Sequence, residues 1–298
     1  MNVLLTGASG FLGTHVCELL DDRYEKSFLS IRHDSTSTVF LKDVTDVDAV
    51  QAVFESRCPE VVIHLAGLMK GDDEDLFFRV NAYYAQTLLK AIQRTGSKSK
   101  LIFVGSAAEY GSPSCPNTAF SETHDCQPIS VYGRSKLLQT NFALAAADQG
   151  VEVCILRLFN LLGPGQDSNF ILGKVTEHIK RVRSGDQVTD DLLQTGDLSA
   201  SRDFIDVRTV ATAIKYIVDN DVASAGEIFN ICSGRPAQIR ELVERAFELA
   251  DLPALVSERR VQSSVENDVI YGDNSKWTKR TGISLDIDLE QTLLQMLA

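Results

Sequence analysis

A glycine-spaced turn near the start of the chain dictates the first structural unit. Thr6-Gly-Ala-Ser-Gly-Phe-Leu-Gly13 follows an apolar run, Asn2–Leu5, and opens a helical stretch, Phe11–Leu20. Its glycines fall at positions 7, 10 and 13. Gly7 permits a tight turn, Gly10 lets backbone N–H groups approach a diphosphate, and Gly13 lets the helix pack closely on the strand. The helix then points the positive end of its dipole at the anion. Strand, turn and helix in this register predict dinucleotide binding by Gly7, Gly10 and Gly13 and the backbone of Phe11 and Leu12. The alternative is a turn that is only structural.

The rest of the first two thirds repeats the same rhythm. Strands are predicted at Lys26–Arg32, Val39–Leu41, Glu60–Leu65, Lys100–Val104 and Val151–Arg157. Between them, helical spacing covers Val47–Ser56, Asp73–Gln93 and Tyr132–Gln149. Several strands are continuous apolar runs, as a parallel sheet covered on both faces requires. The fold class is α/β, a doubly wound parallel sheet of the Rossmann type with a smaller mixed C-terminal substrate-binding domain. The expected division is 1–161 plus 204–230 for the nucleotide-binding part and 162–203 plus 231–298 for the smaller part. Later helices are predicted at Asn169–Arg183, Val207–Val218, Gln238–Ala250 and Leu289–Leu297, with a strand at Glu227–Ile231. Gly-, Pro- and Ser-rich loops at Gly111–Gln127 and Gly163–Gln166 are candidate cleft walls.

Charge narrows the partners. The 298 residues carry a formal net charge of −12, which argues against nucleic acid and anionic membranes as partners. No apolar run approaches the roughly 20 residues of a membrane span. No charged leader precedes the first strand, so a cytoplasmic protein is expected. The six cysteines form no C-x-x-C pair and read as reduced thiols. The five histidines show no ligand spacing, so no metal is expected.

Cofactor choice rests on the end of the second strand. An acid there would bind a ribose 2′-hydroxyl, but the chain has Ser30, followed by Arg32. Arg32 suits a 2′-phosphate, so NADP(H) is favoured and NAD(H) stays open. Asp34 is the opposing signal. Asp43 and Val44 are expected to flank the adenine, and Leu65 and Ala66 to bring backbone to the cofactor. His64 reads as a packed strand-end histidine.

Of seven tyrosines, only Tyr132 has a lysine four residues on, Lys136. On a helix these share a face, and the ammonium is expected to lower the phenol's pKa and make it a usable acid/base.

Together the glycine pattern, His64-Leu-Ala-Gly67, Ser106 and Tyr132-x-x-x-Lys136 resemble the extended short-chain dehydrogenase/reductases. More narrowly they resemble the NAD(P)-dependent epimerases, dehydratases and reductases of nucleotide sugars. Arg157–Gln166, Gly196–Val207, Phe229–Gly234 and Gly272–Lys276 are most similar to reductases of GDP-4-keto-6-deoxy-mannose. The resemblance spans essentially the whole chain. It implies Ser106, Tyr132 and Lys136 as catalytic residues, with Lys136 also on the cofactor ribose. It further implies Asn160 and Arg202 at the nucleotide sugar, Arg202 on its diphosphate, and Glu109 as a candidate sugar contact. Dehydratases of this kind carry an acid two residues before the Tyr-Gly pair, whereas this chain has Ala107 and Ala108 before Glu109. The resemblance therefore implies carbonyl reduction, with an NAD-dependent epimerase as the alternative. It also implies a homodimer through the helices at Asp73–Gln93 and Tyr132–Gln149.

Overall fold

Val3–Leu5, Val61–Ile63 and Val153–Leu156 are apolar without alternation, and every one of these residues is buried. Such runs must be covered on both sides. The computed structural model describes residues 1–30, 38–113, 117–185, 192–220, 226–258 and 269–298.

The N-terminal elements are β1 (Asn2–Thr6), α1 (Phe11–Leu19), β2 (Glu25–Ser30), β3 (Thr38–Phe40), α2 (Val47–Arg57) and β4 (Val61–His64). Then come α3 (Glu74–Phe78), α4 (Tyr84–Thr95), β5 (Lys100–Ser106), α5 (Val131–Ala147) and β6 (Val153–Leu158). After a long excursion, α7 (Val207–Asp219) and β10 (Glu227–Ile231) return to the same unit. The seven strands run parallel in the order β10-β6-β5-β4-β1-β2-β3. The expected doubly wound sheet is present.

Successive side chains of a strand point to opposite faces. Val3 and Leu5 thus join Val16, Ile214 and Phe229 in the core under α1 and α7. Leu4 joins Val62, Leu88, Phe103 and Ala143 in the core under α2, α4 and α5.

The excursion holds β7 (Asn160–Leu162), α6 (Ile171–Ser184), β8 (Leu193–Thr195) and β9 (Ser201–Asp206). Beyond β10 follow β11 (Pro236–Gln238), α8 (Ile239–Glu248), β12 (Val256–Glu258), β13 (Val269–Ile270), α9 (Ser275–Thr281) and α10 (Leu289–Leu297). β9 is the hub of the second sheet. It pairs antiparallel with β11, and parallel with β13 along Ser201–Arg202 and with β7 along Phe204–Asp206. α6, α8 and α10 bury a separate core with Leu172, Phe204, Phe247 and Met296. Trp277 of α9 is fully buried in the core of the large sheet, so this part of the tail packs with the large-sheet unit.

The helix expected over Asp73–Gln93 is broken into α3, a π turn at Arg79–Tyr83, and α4. The described cysteines, Cys17, Cys58, Cys126, Cys154 and Cys232, are free thiols. Among the described residues no helix is long and apolar enough to cross a membrane.

Candidate active site

In a doubly wound sheet, ligands bind at the carboxyl ends of the strands, where the strand order reverses. Here that point lies between β1 and β4, with Thr6 and His64 as register partners. Thr6 Oγ1 accepts from the Ala66 N–H at 3.2 Å and lies 2.8 Å from His64 Nδ1. Burial holds the His64 pKa down to about 3, with the Lys136 charge adding to the drop, so the imidazole is neutral. It packs edge-on against Tyr84 and Phe103, a structural histidine as its sequence position predicts.

The glycine turn closes against these strand ends. Gly7 has φ +71°, and a Cβ there would lie 2.6 Å from Ala66 N and 2.7 Å from the Leu65 carbonyl carbon. A Cβ on Gly13 would collide with the Gly7 carbonyl. α1 starts at Phe11 behind the Gly10 N-cap, with no side-chain cap and no acid in its first turn, so no capping side chain satisfies its first N–H groups. The cradle therefore fits the diphosphate of a dinucleotide. Leu12 and Val44 turn their side chains into the core and offer a ligand only backbone. Arg32, on which the choice of NADP(H) rested, lies outside the described residues.

Asp43 is held by its neighbours. Arg79 Nη2 donates to Oδ2 at 2.5 Å, and the Thr45 hydroxyl and N–H donate to Oδ1 at 2.7 and 2.8 Å. The Arg79 hydrogen bond, aided by Thr45, holds the carboxyl far below the usual carboxylate range. Arg79 begins the π turn, and Asn81 lies inside it. The fully buried Asn81 amide accepts from Leu68 N–H at 2.7 Å and donates to Leu68 O and Ser135 Oγ, each at 2.9 Å. It clamps the loop after β4 to α5. Neither link has a local sequence signature, although π turns recur at functional sites.

Ser106 ends β5 and caps the short 3₁₀ turn Ala107–Glu109. The Ser106 N–H donates to Glu109 Oε1 at 2.8 Å, and Ser106 Oγ accepts from the Ala108 N–H at 3.2 Å. α5 starts at the Ser130 cap and reaches this turn because residue 133 is glycine: a Cβ there would collide with the Ala108 carbonyl. The close approach brings the partly buried Tyr132 near enough to the Ser106 side chain for the serine to act on the phenol.

Lys136 corrects one expectation. Burial raises the Tyr132 pKa, the Ser106 side chain pulls it back, and the Glu109 charge adds to the rise. The expected lowering by Lys136 is not found: burial sets the direction, and Ser106 and Glu109 are the neighbours that act on the phenol. Lys136 Nζ donates to Gln139 Oε1 at 2.6 Å. Burial brings the Lys136 pKa down to about 8, with the Glu109 carboxylate opposing.

Glu109 corrects another. Expected as a sugar contact, it is wholly buried and both its oxygens are occupied. Oε1 takes the Ser106 N–H, and Oε2 accepts from Thr140 Oγ1 and Arg157 Nε, each at 2.9 Å. Burial pushes its pKa up, and Arg157 and the Ser106 N–H pull it back. Arg157 also lies over the Tyr110 ring, 4.7 Å from its centroid, and that ring stacks on Phe120.

Asn160 and Arg202 lie on the paired strands β7 and β9. Leu158, the register partner of Ser106, ends β6, and exposed Asn160 begins β7 two residues on. Asn160 Nδ2 donates to the carbonyl of Asp203, next to Arg202 on β9, at 3.1 Å. Asp203 itself is buried. Its carboxylate accepts from Ser233 N and Oγ at 2.8 and 2.6 Å, Gly234 N at 2.9 Å and Gly272 N at 3.2 Å.

The chain is similar to known proteins over most of its length. The GDP-6-deoxy-D-mannose reductase of Pseudomonas aeruginosa is 26% identical over 99% of this chain and 96% of its own length. The UDP-glucose 4-epimerase of Bacillus subtilis is 28% identical over 87% of this chain and 86% of its own. The structure of RMD from Pseudomonas aeruginosa complexed with NADPH superposes with a TM-score of 0.85 at 26% identity, covering 99% of this chain and 97% of that one. Residues 3–232 match the model of the NAD dependent epimerase/dehydratase family, and the chain belongs to that family.

Proposed function

We propose that this protein reduces the 4-keto group of a nucleotide-linked 4-keto-6-deoxy-hexose, with NADPH as reductant. One arrangement carries the reading. The start of α5, which holds Tyr132, packs on the turn that follows Ser106, while Ala107 and Ala108 replace the acid an elimination needs and Glu109 is walled in.

A bound reduced nicotinamide supplies the hydride. The chain's own groups manage charge and proton. Tyr132, kept protonated by burial, donates its hydroxyl proton to the oxygen of the former ketone. Ser106 donates a hydrogen bond to the same oxygen as negative charge develops there. Lys136 holds the nicotinamide ribose, and Gly7, Gly10 and Gly13 with the start of α1 hold the diphosphate. Asp43 lies at the adenine. Asn160 and Arg202 take the nucleotide sugar, the arginine giving a chain of net charge −12 a local anion site. The substrate sits between residues 1–161 with 204–230 and residues 162–203 with 231–298, with α9 on the nucleotide side.

Ser30 in place of an acid, Arg32 beside it, and the NADPH of the Pseudomonas aeruginosa structure support NADPH over NADH. The reductase relative, aligned over 99% of this chain, makes GDP-4-keto-6-deoxy-mannose the first substrate to try. The Bacillus subtilis relative keeps an NAD-dependent epimerase as the second reading. The two separate in one experiment. The protein is mixed with NADPH or NADH and a panel of nucleotide-linked 4-keto-6-deoxy-hexoses, and reduced-nicotinamide absorbance is followed. Stoichiometric loss is expected, whereas isomerised sugar with no loss would assign the protein to the epimerases.

We also infer a cytoplasmic homodimer joined through the α4 and α5 faces. The exposed Tyr83 ring, 6.5 Å from that of Phe142, supports this, and light scattering tests it.

A further inference from the structure

Gln139 is fully buried on α5, three residues after Lys136, and both ends of its amide are engaged. Its Oε1 accepts from the Lys136 ammonium at 2.6 Å, and its Nε2 donates to the Val104 carbonyl at 3.0 Å. Val104 lies on β5, two residues before Ser106. Residues three apart on a helix share a face, so the contact with Lys136 comes naturally. The second bond is what makes it a fixture. The amide cannot follow the lysine without releasing a part-buried strand carbonyl.

The acceptor is also neutral. Two titratable groups on other elements act on this ammonium. Glu109, on the 3₁₀ turn, is shared with Arg157, and His64, on β4, is uncharged. On α5 itself Tyr132 is protonated. A carboxylate at 139 would cancel the lysine's charge, and an apolar side chain would leave the ammonium without its acceptor. An amide oxygen takes the hydrogen bond and leaves the charge in place.

We propose that Gln139 is a positioning residue for Lys136: its neutral carbonyl fixes the ammonium against the strand that carries Ser106 and leaves the positive charge uncancelled. The use of that charge, on the cofactor ribose, rests on the function proposed above. The fixation does not.

The test reads the lysine directly. In protein carrying ¹³C-labelled lysine, the Lys136 side-chain resonance is identified by its loss in Lys136→Met and titrated by NMR. In Gln139→Glu the midpoint rises by about 1–3 pH units, the effect of an opposite charge at this range. In Gln139→Leu it falls. Unchanged midpoints in both variants would overturn the proposal. The unsubstituted protein supplies a check independent of how the variants fold. Lys136 side-chain protons must show nuclear Overhauser contacts to the Gln139 amide protons, and their absence overturns it equally. NADPH affinity, read from nicotinamide fluorescence, is expected to weaken about tenfold or more in Gln139→Leu, in line with loss of one charged hydrogen bond. If Lys136→Met binds NADPH as tightly as the parent, the cofactor role of Lys136 fails, while the titration still decides Gln139.

Discussion

Arg157 Nε donates to Glu109 Oε2 across 2.9 Å, and both side chains are closed to water. The same carboxylate takes the N–H of Ser106, so this ion pair forms the back wall of the candidate catalytic serine. Removing one partner of a buried pair leaves an uncompensated charge. Arg157→Met is expected to cost about 3–5 kcal/mol of stability. Pairing it with Glu109→Gln should cost much less than the two single changes added together. Urea unfolding of the three variants checks this, and strict additivity would show that the pair is not coupled.

Tyr132→Phe keeps the ring and removes the proton. Turnover is expected to fall by about 10²–10⁴-fold. Ser106→Ala, which removes one donor to the developing oxyanion, should cost about 10²–10³-fold. NADPH affinity, measured by nicotinamide fluorescence, should barely change in either. Wild-type turnover in Tyr132→Phe would remove the phenol from the mechanism.

Lys136 sets a pH dependence. Its pKa falls from 10.5 to about 8 in the folded chain. Cofactor affinity is therefore expected to decline as pH rises through about 8, and to be flat there in Lys136→Met. Stability moves the other way. Between about 8 and 10.5 the unfolded chain binds more protons at this residue, so its contribution to stability increases with pH. Binding and unfolding titrations over this window separate the two trends.

His64 governs the acid side. Its pKa drops from 6.5 to about 3 on burial. Its contribution to stability is complete above about 6.5 and declines as pH falls toward about 3, because only the unfolded chain takes up the proton. The urea midpoint should fall between pH 7 and pH 5, and fall less steeply in His64→Phe. Equal slopes in the two proteins would contradict a neutral buried imidazole.

Gly7→Ala is expected to fold less stably by about 1–3 kcal/mol and to lose most cofactor affinity. Its φ of +71° and the 2.6 Å approach to Ala66 N both exclude a Cβ. Thermal unfolding and nicotinamide fluorescence measure the two effects. Unchanged affinity would mean that the turn does not cradle the cofactor.

The large sheet was legible because a strand buried on both faces has to be an apolar run, and Val61–Ile63 or Val153–Leu156 has no other easy home. The second sheet was not. β11 and β13 are two or three residues long and only partly buried, so no alternation marks them, and β9 alone gives them meaning. In the site, Tyr132 and Lys136 show as a helical spacing and the glycines as a turn. Gln139, Asn81 and Arg157 do not show, because each is fixed by at least one partner far along the chain. Glu109 is 48 positions from Arg157. The family resemblance suggested a sugar contact, but the 3₁₀ turn after Ser106 directs it inward. Lys136 was paired with Tyr132 on spacing alone, and spacing does not reveal a competing acceptor one turn away.

The π turn at Arg79–Tyr83 makes this stretch sensitive to length rather than to composition. A π turn holds one residue more than an α turn, and one residue is worth about 100° of rotation. Within it Arg79 reaches Asp43 and Asn81 clamps Leu68 to Ser135, and beyond it Leu88 and Ile92 face the sheet. A single-residue deletion between 79 and 83 would let the helix close to regular α geometry. One of these faces would then swing out of reach with every contacting side chain still in the chain. Among related chains, a gap or insertion here would thus mark a change at both Asp43 and Ser135 that no comparison of residue identities would reveal.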